Sequence, residues 1–261
     1  QLFNVIEDQE NVYLILELCS CGTLAHYLKQ KAESNKSKLN KCENKGENKY
    51  KEPVLSYQSI RRIIRQVCSG LDYLHRNSIV HRDLNLNNLL IAKMTSEDDM
   101  LIKIADFGLA IDLNSSKQQI NNTVLKPHRD KHVIPMPAGT TICGTPGFIS
   151  PEVWSQMQTV SPASDIFSLG SILFSLISGY TPKGELDLSK YYPLATDIIA
   201  KLLAPNPMER PSISNVLRHP FILGPIDTQR LQPINKLTQL IDLSINSNGE
   251  VRLIFLKNQQ T

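Results

Sequence analysis

One run of residues, 79–90, constrains this chain more than any other stretch. It reads Ile-Val-His-Arg-Asp-Leu-Asn-Leu-Asn-Asn-Leu-Leu, so apolar pairs flank a charged triplet and several asparagines. Apolar residues on both sides predict short buried segments that hold the polar residues in a fixed loop. Three further patterns follow along the chain: Asp-Phe-Gly at 106–108, Gly-Thr-Pro at 144–146 and Ser-Pro-Glu at 150–152. Each pattern alone recurs by chance, but all four in this order form a specific signal.

Together the patterns resemble the catalytic loop, the metal loop and the activation segment of a protein kinase. Phosphoryl transfer depends on positioning and charge neutralisation, which require a carboxylate beside the attacking hydroxyl and hard oxygen ligands for Mg²⁺. The resemblance implies a catalytic set in which Asp83 accepts the hydroxyl proton, while Asn88 and Asp106 bind Mg²⁺. Phe107 is expected to pack inward and to switch Asp106 by rotating. The alternative is an ordinary loop with a stray His-Arg-Asp and a stray Asp-Phe-Gly.

Length and composition set broad limits on the class of protein. The 261 residues, of which 41% are hydrophobic, predict one large or two small domains with a sizeable core. A net charge of +3 is too small to imply a nucleic-acid partner. Five cysteines without a Cys-x-x-Cys pair predict a reduced intracellular compartment and no zinc site. We expect neither a signal peptide nor a membrane span, and the apolar residues 167–177 predict a buried core helix.

The first residues predict a remnant of the kinase small lobe. Residues 2–6 and 12–18 read as two apolar strands joined by a polar turn. The kinase resemblance places Leu16 behind the adenine of ATP. Glu17 and Cys19 then belong to the hinge, whose backbone groups bond to the adenine edge. Leu90 becomes the apolar floor under the ring.

Two helices and two insertions are predicted in the following residues. A short helix is expected to end at Leu28, and residues 30–52 are expected to form a solvated, mobile insertion rich in Lys, Asn, Glu and Ser. A basic docking patch is the alternative function of that insertion. Residues 56–76 have helical spacing, and His75 is predicted to be a helix-end or surface histidine. A second polar insertion is predicted at residues 112–139.

The activation segment carries the predicted regulatory and acceptor residues. An arginine directly before a catalytic aspartate usually needs an anionic partner, and a phosphorylated loop residue can supply one. Arg82 therefore points to Thr141 as the modified residue, with Thr140 as the second choice. Thr145 is expected to form a hydrogen bond near Asp83, as in serine/threonine kinases.

Three further residues are assigned structural roles by the same resemblance. Glu152 needs a buried cationic partner, and Arg210 is the expected one. Removing either residue should destabilise the large lobe, because a buried carboxylate without its arginine is costly. Asp165 is expected to hold the backbone of the turn formed by His81 and Arg82, a structural and not a catalytic role.

The resemblance can be narrowed within the kinases. The runs at residues 12–19, 81–90, 102–110 and 143–153 together resemble the Sak branch of the polo-like kinases, which act in centriole duplication. Ser150 agrees, since most kinases carry alanine there. In the tail, Asn-Gly at 248–249 lies between two alternating segments and predicts a β-hairpin. This hairpin resembles the start of a polo box, although a generic appended hairpin is the alternative.

The chain also departs from the kinase pattern. No glycine-rich phosphate loop and no Val-Ala-Ile-Lys strand precede Asp83. We therefore expect most of the small lobe to be absent, and the 261 residues alone to be weakly active or inactive. Asn85 stands where most kinases place a lysine that helps the γ-phosphate, a lysine that Sak kinases also tend to lack.

The predicted fold class is α+β: a kinase-like fold over residues 1–222, mainly the helical lobe with a remnant of the small-lobe sheet. Residues 223–261 are expected to begin a polo-box-like region. The resemblance implies ATP and Mg²⁺ as cofactors, and centriolar scaffold proteins and the kinase itself as serine/threonine substrates. It also implies a location in the cytoplasm and at the centrosome, and a parent protein that dimerises through polo boxes. The alternative is a catalytically silent fragment or a pseudokinase-like binding module.

Overall fold

The computed structural model describes residues 1–39, 53–114, 134–135, 144–155, 159–184, 186–224, 241–245 and 251–255. The chain divides into two units, Gln1–Gly224 and Pro225–Thr261, which are described separately. Thr140 and Thr141, and most of both predicted insertions, lie outside the described residues.

The first unit opens with a two-stranded antiparallel sheet. Strand β1, Leu2–Glu7, pairs with strand β2, Val12–Leu16, as the apolar runs predicted. The turn between them is closed by Asp8, whose carboxylate accepts hydrogen bonds from the N–H groups of Glu10 and Asn11, each at 2.8 Å. Every residue of both strands is exposed.

The first helix is longer than the sequence predicted. Helix α1 spans Leu24–Leu39, so the expected end at Leu28 is wrong, and residues 30–39 of the predicted mobile insertion are helical. Leu24 is fully buried, and Lys31 forms an ion pair with Glu97 in the turn between two later strands. The helix is therefore fixed by its buried first turn and by a charged contact farther along, without a continuous apolar stripe.

Helix α2, Tyr57–Arg76, is the central helix of this unit and agrees with the predicted span. Ser56 caps its N-terminus by accepting a hydrogen bond from Ser59 N–H at 3.0 Å. Its apolar face recurs at helical spacing and is buried: Ile60, Ile63, Ile64, Val67, Cys68, Leu71 and Leu74. The helix lies against strand β5, Asp99–Ile104, which pairs with strand β4, Leu89–Ser96. The two strands form a hairpin around an acidic turn at residues 97–98.

Most of the remaining helices contribute buried residues to the hydrophobic core, together with α2. The remaining helices are α3, Pro151–Trp154; α4, Pro162–Ser178; α5, Pro193–Leu202; a 3-10 turn, Pro207–Glu209; α6, Ile213–Leu217; and α7, Pro220–Leu223. Helix α4 is buried over most of its length and contains the apolar stretch that predicted a core helix. Helices α4, α6 and α7 all contact α2. No helix in the described ranges combines the length and the apolar character that crossing a membrane requires.

Two further pairs of short antiparallel strands connect loop segments of this unit. Strand β3, Ile79–Val80, pairs with β6, Ile111–Asp112, and so joins the two ends of the stretch that contains the candidate catalytic residues. Strand β7, Ile134–Pro135, pairs with β8, Thr159–Val160.

The second unit contains a pair of antiparallel strands, β9, Ile241–Ile245, and β10, Val251–Phe255, with Leu243 opposite Leu253. These strands lie on either side of the Asn-Gly pair, as the hairpin pattern predicted. Two paired strands do not identify a polo box, and that assignment stays a prediction.

Candidate active site

The loop that carries Asp83 begins with a turn held by Asp165. The carboxylate of Asp165 is fully buried in the first turn of α4 and accepts the N–H groups of His81 and Arg82, both at 3.0 Å. Arg82 has a φ of 69°, in the left-handed region that a residue with a side chain rarely adopts. The turn therefore depends on a partner outside the loop, and Asp165 lies where the sequence expectation placed it.

The imidazole of His75 also contacts the Asp165 carboxylate, and the sequence analysis did not predict this contact. The Nε2 atom of His75 lies 2.9 Å from Asp165 Oδ2, and the His75 side chain is only 13% exposed. His75 does lie at the end of α2, but it is not a surface histidine. No local pattern in the sequence indicates this contact, because the two residues are 90 positions apart.

Asp83 is held through both of its carboxylate oxygens. Thr145 donates its hydroxyl to Oδ1 at 2.8 Å, and Asn85 donates its amide to the same oxygen at 3.1 Å. Asn88 donates its amide to Oδ2 at 3.0 Å. All three donors are neutral, so they fix the orientation of the carboxylate and contribute no formal charge to it.

The segment before Asp106 is bonded directly to the same loop. Ala105 donates its N–H to the carbonyl of Asn88 at 2.9 Å, and its carbonyl lies 3.0 Å from the Nε2 atom of His81. Asp106 has a φ of 61°, and its side chain accepts the N–H of Gly108 at 3.2 Å. The structure therefore brings Asp83, Asn88 and the Asp106 segment into one network of hydrogen bonds.

The donor set fits a hard divalent cation. The amide nitrogen of Asn88 faces Asp83, and its amide oxygen accepts no hydrogen bond from any residue that the structure describes. Asp106 is exposed, and one of its carboxylate oxygens accepts the hydrogen bond from the Gly108 N–H. The described residues contain no group of three His, Cys, Asp or Glu side chains spaced for a metal. One carboxylate and one amide oxygen are nevertheless typical of a cation that takes its other ligands from phosphate and water.

Phe107 does not pack inward as the sequence predicted. Its side chain is 48% exposed, and its ring centroid lies 5.1 Å from that of His81. Phe107 borders an open groove whose other apolar members include the exposed Tyr73 and Leu101. Phe107 therefore contacts the His81 ring but remains about half exposed within the described residues.

The segment that follows the predicted hinge lies beside Leu90, the predicted floor of the adenine site. Ile91 donates its N–H to the carbonyl of Gly22 at 2.9 Å, and Thr23 forms a β-bridge with Leu90. Cys19 is half-buried and accepts the N–H of Gly22 at 3.2 Å. The structure therefore places residues 22–23 beside Leu90 and Ile91, and the role of this region in adenine binding stays a prediction.

Two members of the predicted adenine set behave differently. Leu16 ends β2 with its side chain 58% exposed, so it does not pack behind a site within the described residues. Glu17 forms an ion pair with Lys103 at 2.7 Å, a contact that the sequence did not predict. Hydrogen bonding from Lys103 holds the pKa of Glu17 below its ordinary value. Lys103 lies opposite Leu90 in the β4–β5 register, so this ion pair joins the hinge to the helical lobe.

Glu152 and Arg210 form the buried pair that the sequence predicted. Two hydrogen bonds of 2.7 Å join the guanidinium to both carboxylate oxygens, and the Arg210 side chain is fully buried. The remaining donors of Arg210 reach the backbone carbonyls of Ala204, Ala163 and Pro205. The guanidinium therefore donates both to the carboxylate and to backbone carbonyls. A buried ion pair is favourable only when its remaining donors are satisfied in this way.

The same contact sets the acidity of Glu152. Burial raises the pKa of this carboxyl, but the hydrogen bonds and charge of Arg210 lower it, with help from backbone and serine donors. The net pKa lies below the ordinary value of 4.5. Glu152 is therefore ionised in the folded protein at neutral pH.

Comparison with known proteins agrees with this geometry. Residues 1–222 match the family model for the protein kinase domain. The chain belongs to the protein kinase family. Members of this family require ATP and a divalent cation.

Within that family the similarity is to polo-like kinases. The chain is 36% identical over 243 residues to the serine/threonine-protein kinase PLK4 of Drosophila virilis, covering 85% of this chain and 25% of the relative. It is 34% identical over 237 residues to PLK4 of Danio rerio, covering 85% and 20%. It is 32% identical over 246 residues to PLK2 of Mus musculus, covering 88% and 29%. The chain thus spans between a fifth and a third of the length of these relatives.

Proposed function

We propose that this chain is the catalytic portion of an ATP-dependent serine/threonine protein kinase of the polo-like Sak type. The observation that carries the proposal is the hydrogen bond of 2.8 Å from Thr145 to Asp83. It joins the activation segment to the catalytic loop across 62 residues and gives the carboxylate a fixed direction. A carboxylate fixed in this way can orient a serine or threonine hydroxyl and accept its proton.

The other loop residues would act on the nucleotide. Asn88 and Asp106 would hold Mg²⁺ through hard oxygen atoms, and the bound ion neutralises charge on the transferred phosphoryl group. Asn88 also holds Asp83 through its amide nitrogen at 3.0 Å, so one side chain links the proton acceptor to the metal site. Asp165 keeps the loop in place by accepting two of its N–H groups.

The hinge segment would bind adenine. Backbone groups between Glu17 and Cys19 are proposed to bond to the adenine edge, with Leu90 beneath the ring. The β-bridge between Thr23 and Leu90 supports this arrangement, because it holds the segment that follows the hinge beside Leu90.

The assignment to the Sak branch rests on similarity. Identities of 36% and 37% to PLK4 of two Drosophila species exceed the 32% to PLK2 of the mouse. We propose a role in centriole duplication, location at the centrosome, and centriolar scaffold proteins and the kinase itself as substrates. Residues 223–261 are proposed as the start of a polo box, through which the full-length protein would form homodimers. Thr141, paired with Arg82, remains the proposed site of activating phosphorylation.

Phosphate transfer to defined peptides tests the proposal. Peptides that carry serine, threonine or tyrosine as their only hydroxyl residue would be incubated with the full-length protein, ATP and Mg²⁺. We expect transfer to serine and threonine peptides, little transfer to the tyrosine peptide, and none when Asp83→Asn is used as the blank. Equal transfer to all three peptides, or transfer that persists in the Asp83→Asn variant, would contradict the proposal.

A binding module without turnover is the second candidate. The observation that favours it is the exposure of the apolar side chains of β1 and β2, including Phe3 at 61% and Leu14 at 58%. A sheet with this much apolar surface can serve as a contact face. Wild-type protein that binds nucleotide but transfers no phosphate to any peptide would support this candidate.

A further inference from the structure

Asn85 occupies the centre of the catalytic loop and is 2% exposed. Its amide nitrogen lies 3.1 Å from Asp83 Oδ1 and 2.9 Å from Thr145 Oγ1. Its amide oxygen accepts the N–H groups of Asn87 at 2.8 Å and Asn88 at 3.3 Å. Only this orientation of the amide satisfies all the contacts, because the two backbone N–H groups can only donate.

Asn85 also completes a closed triangle of hydrogen bonds. Thr145 donates to Asp83 at 2.8 Å, while Asn85 donates to both of them. The hydroxyl of Thr145 therefore donates once and accepts once, which fixes the direction of its proton. Removing Asn85 would take away the donor to the Thr145 hydroxyl and would leave Oδ1 with one donor from this group instead of two.

The triangle contains no positive charge. An amide at position 85 orders the carboxylate without adding a cation beside the transferred phosphate, whereas a lysine at this position would add one. The structure therefore separates two functions that a lysine would combine: the holding of the proton acceptor, and the neutralisation of phosphate charge.

From this geometry we infer that Asn85 is a positioning residue that acts through Thr145 and Asp83 and does not contact the nucleotide. The inference rests on the proposed kinase function. Loss of Asn85 affects the chemical step, because the proton acceptor loses its fixed direction. It leaves nucleotide affinity nearly unchanged, because the contacts of the Asn85 side chain are to Asp83, Thr145 and loop backbone.

A double-mutant cycle in the full-length protein tests the inference. Asn85→Ala and Thr145→Val would each be expected to lower kcat about 100-fold, the size of effect that misplacement of a reacting group produces. Because both changes break the same triangle, the kcat of the double variant is expected to lie within about 3-fold of the kcat of the less active single variant. The KM for ATP is expected to change less than about 3-fold in each variant.

Asn87→Ala is the matched control, since Asn87 lies in the same loop with an exposed side chain and donates to Asn85 only through its backbone. It is expected to keep wild-type kcat. Multiplying losses in the double variant, or an effect confined to the KM for ATP, would overturn the inference. So would an Asn85→Ala variant that behaves like Asn87→Ala. Wild-type protein no more active than Asp83→Asn would instead refute the proposed function itself.

Discussion

At the scale of single residues, we expect the loss of the Arg210 side chain to lower the free energy of unfolding strongly. The Arg210→Met variant leaves both carboxylate oxygens of the buried Glu152, and the carbonyl oxygens of Ala163, Ala204 and Pro205, without their donor. Removing one partner of a buried pair costs about 3–5 kcal/mol in the free energy of unfolding, and we expect a loss in that range. Equilibrium denaturation in urea measures it.

Lys190→Met is the control for this prediction. Lys190 forms an ion pair with Asp187, but its side chain is 65% exposed. An exposed pair contributes about 0–1 kcal/mol, so this variant should keep nearly all its stability. Similar losses in the two variants would show that burial of the Arg210 pair is not what makes it important.

Glu152 also predicts how stability depends on pH. Its pKa in the folded state lies below the ordinary value of 4.5, so the unfolded state binds more protons in acid. The stabilisation is therefore complete above the ordinary value and is lost as the pH falls through the lowered, folded-state pKa. We expect the free energy of unfolding to fall less steeply with acid in Glu152→Gln than in the wild type. Identical slopes in denaturation series across that range would contradict the assignment.

At the scale of elements, the packing of α4 on α5 depends on Gly170. A Cβ atom at this position would lie 2.7 Å from Leu202 Cβ, which is fixed to the backbone of α5. Overpacking of this kind costs about 1–3 kcal/mol, against a gain of about 1 kcal/mol when alanine replaces glycine in a helix. We expect Gly170→Ala to lower the thermal midpoint.

Gly70→Ala is the matched comparison within α2. Its Cβ would lie 2.7 Å from Ile104 Cδ1, the flexible end of a side chain that can rotate away. The helix-propensity gain is the same in both variants, so Gly170→Ala should be clearly less stable than Gly70→Ala. The reverse order would mean that the two helices are not in tight contact at Gly170.

At the scale of the whole molecule, the site is assembled from segments that are far apart in the chain. Strand β3 and helix α2 deliver Asp83, the β4–β5 hairpin leads to Asp106, and α4 supplies Asp165. The bond that Thr145 donates to Asp83 spans 62 residues, and the bond that the His81 N–H donates to Asp165 spans 84. The chemistry therefore depends on the correct packing of the helical unit as well as on the loop sequence.

The sequence predicted those parts of the fold that local patterns determine. Helix α2 has a regular apolar spacing and a serine cap. Asp83 and Asn88 lie within the catalytic-loop motif, and Thr145 lies within the Gly-Thr-Pro motif. The missed features depend on contacts between distant segments. The continuation of α1 to Leu39 lacks an apolar stripe, and the contact of His75 with Asp165 crosses 90 residues. Phe107 was predicted to pack inward, but it is 48% exposed.

The most direct test of the account is to separate nucleotide binding from turnover in the Asp83→Asn variant. Asparagine keeps the size of aspartate but cannot accept the substrate proton, and general-base catalysis contributes about 10²–10⁴-fold to rate. We predict that the full-length variant binds ATP with Mg²⁺ like the wild type, while phosphate transfer falls by about that factor. Transfer at the wild-type rate, or loss of binding in proportion to loss of transfer, would contradict the role assigned to Asp83.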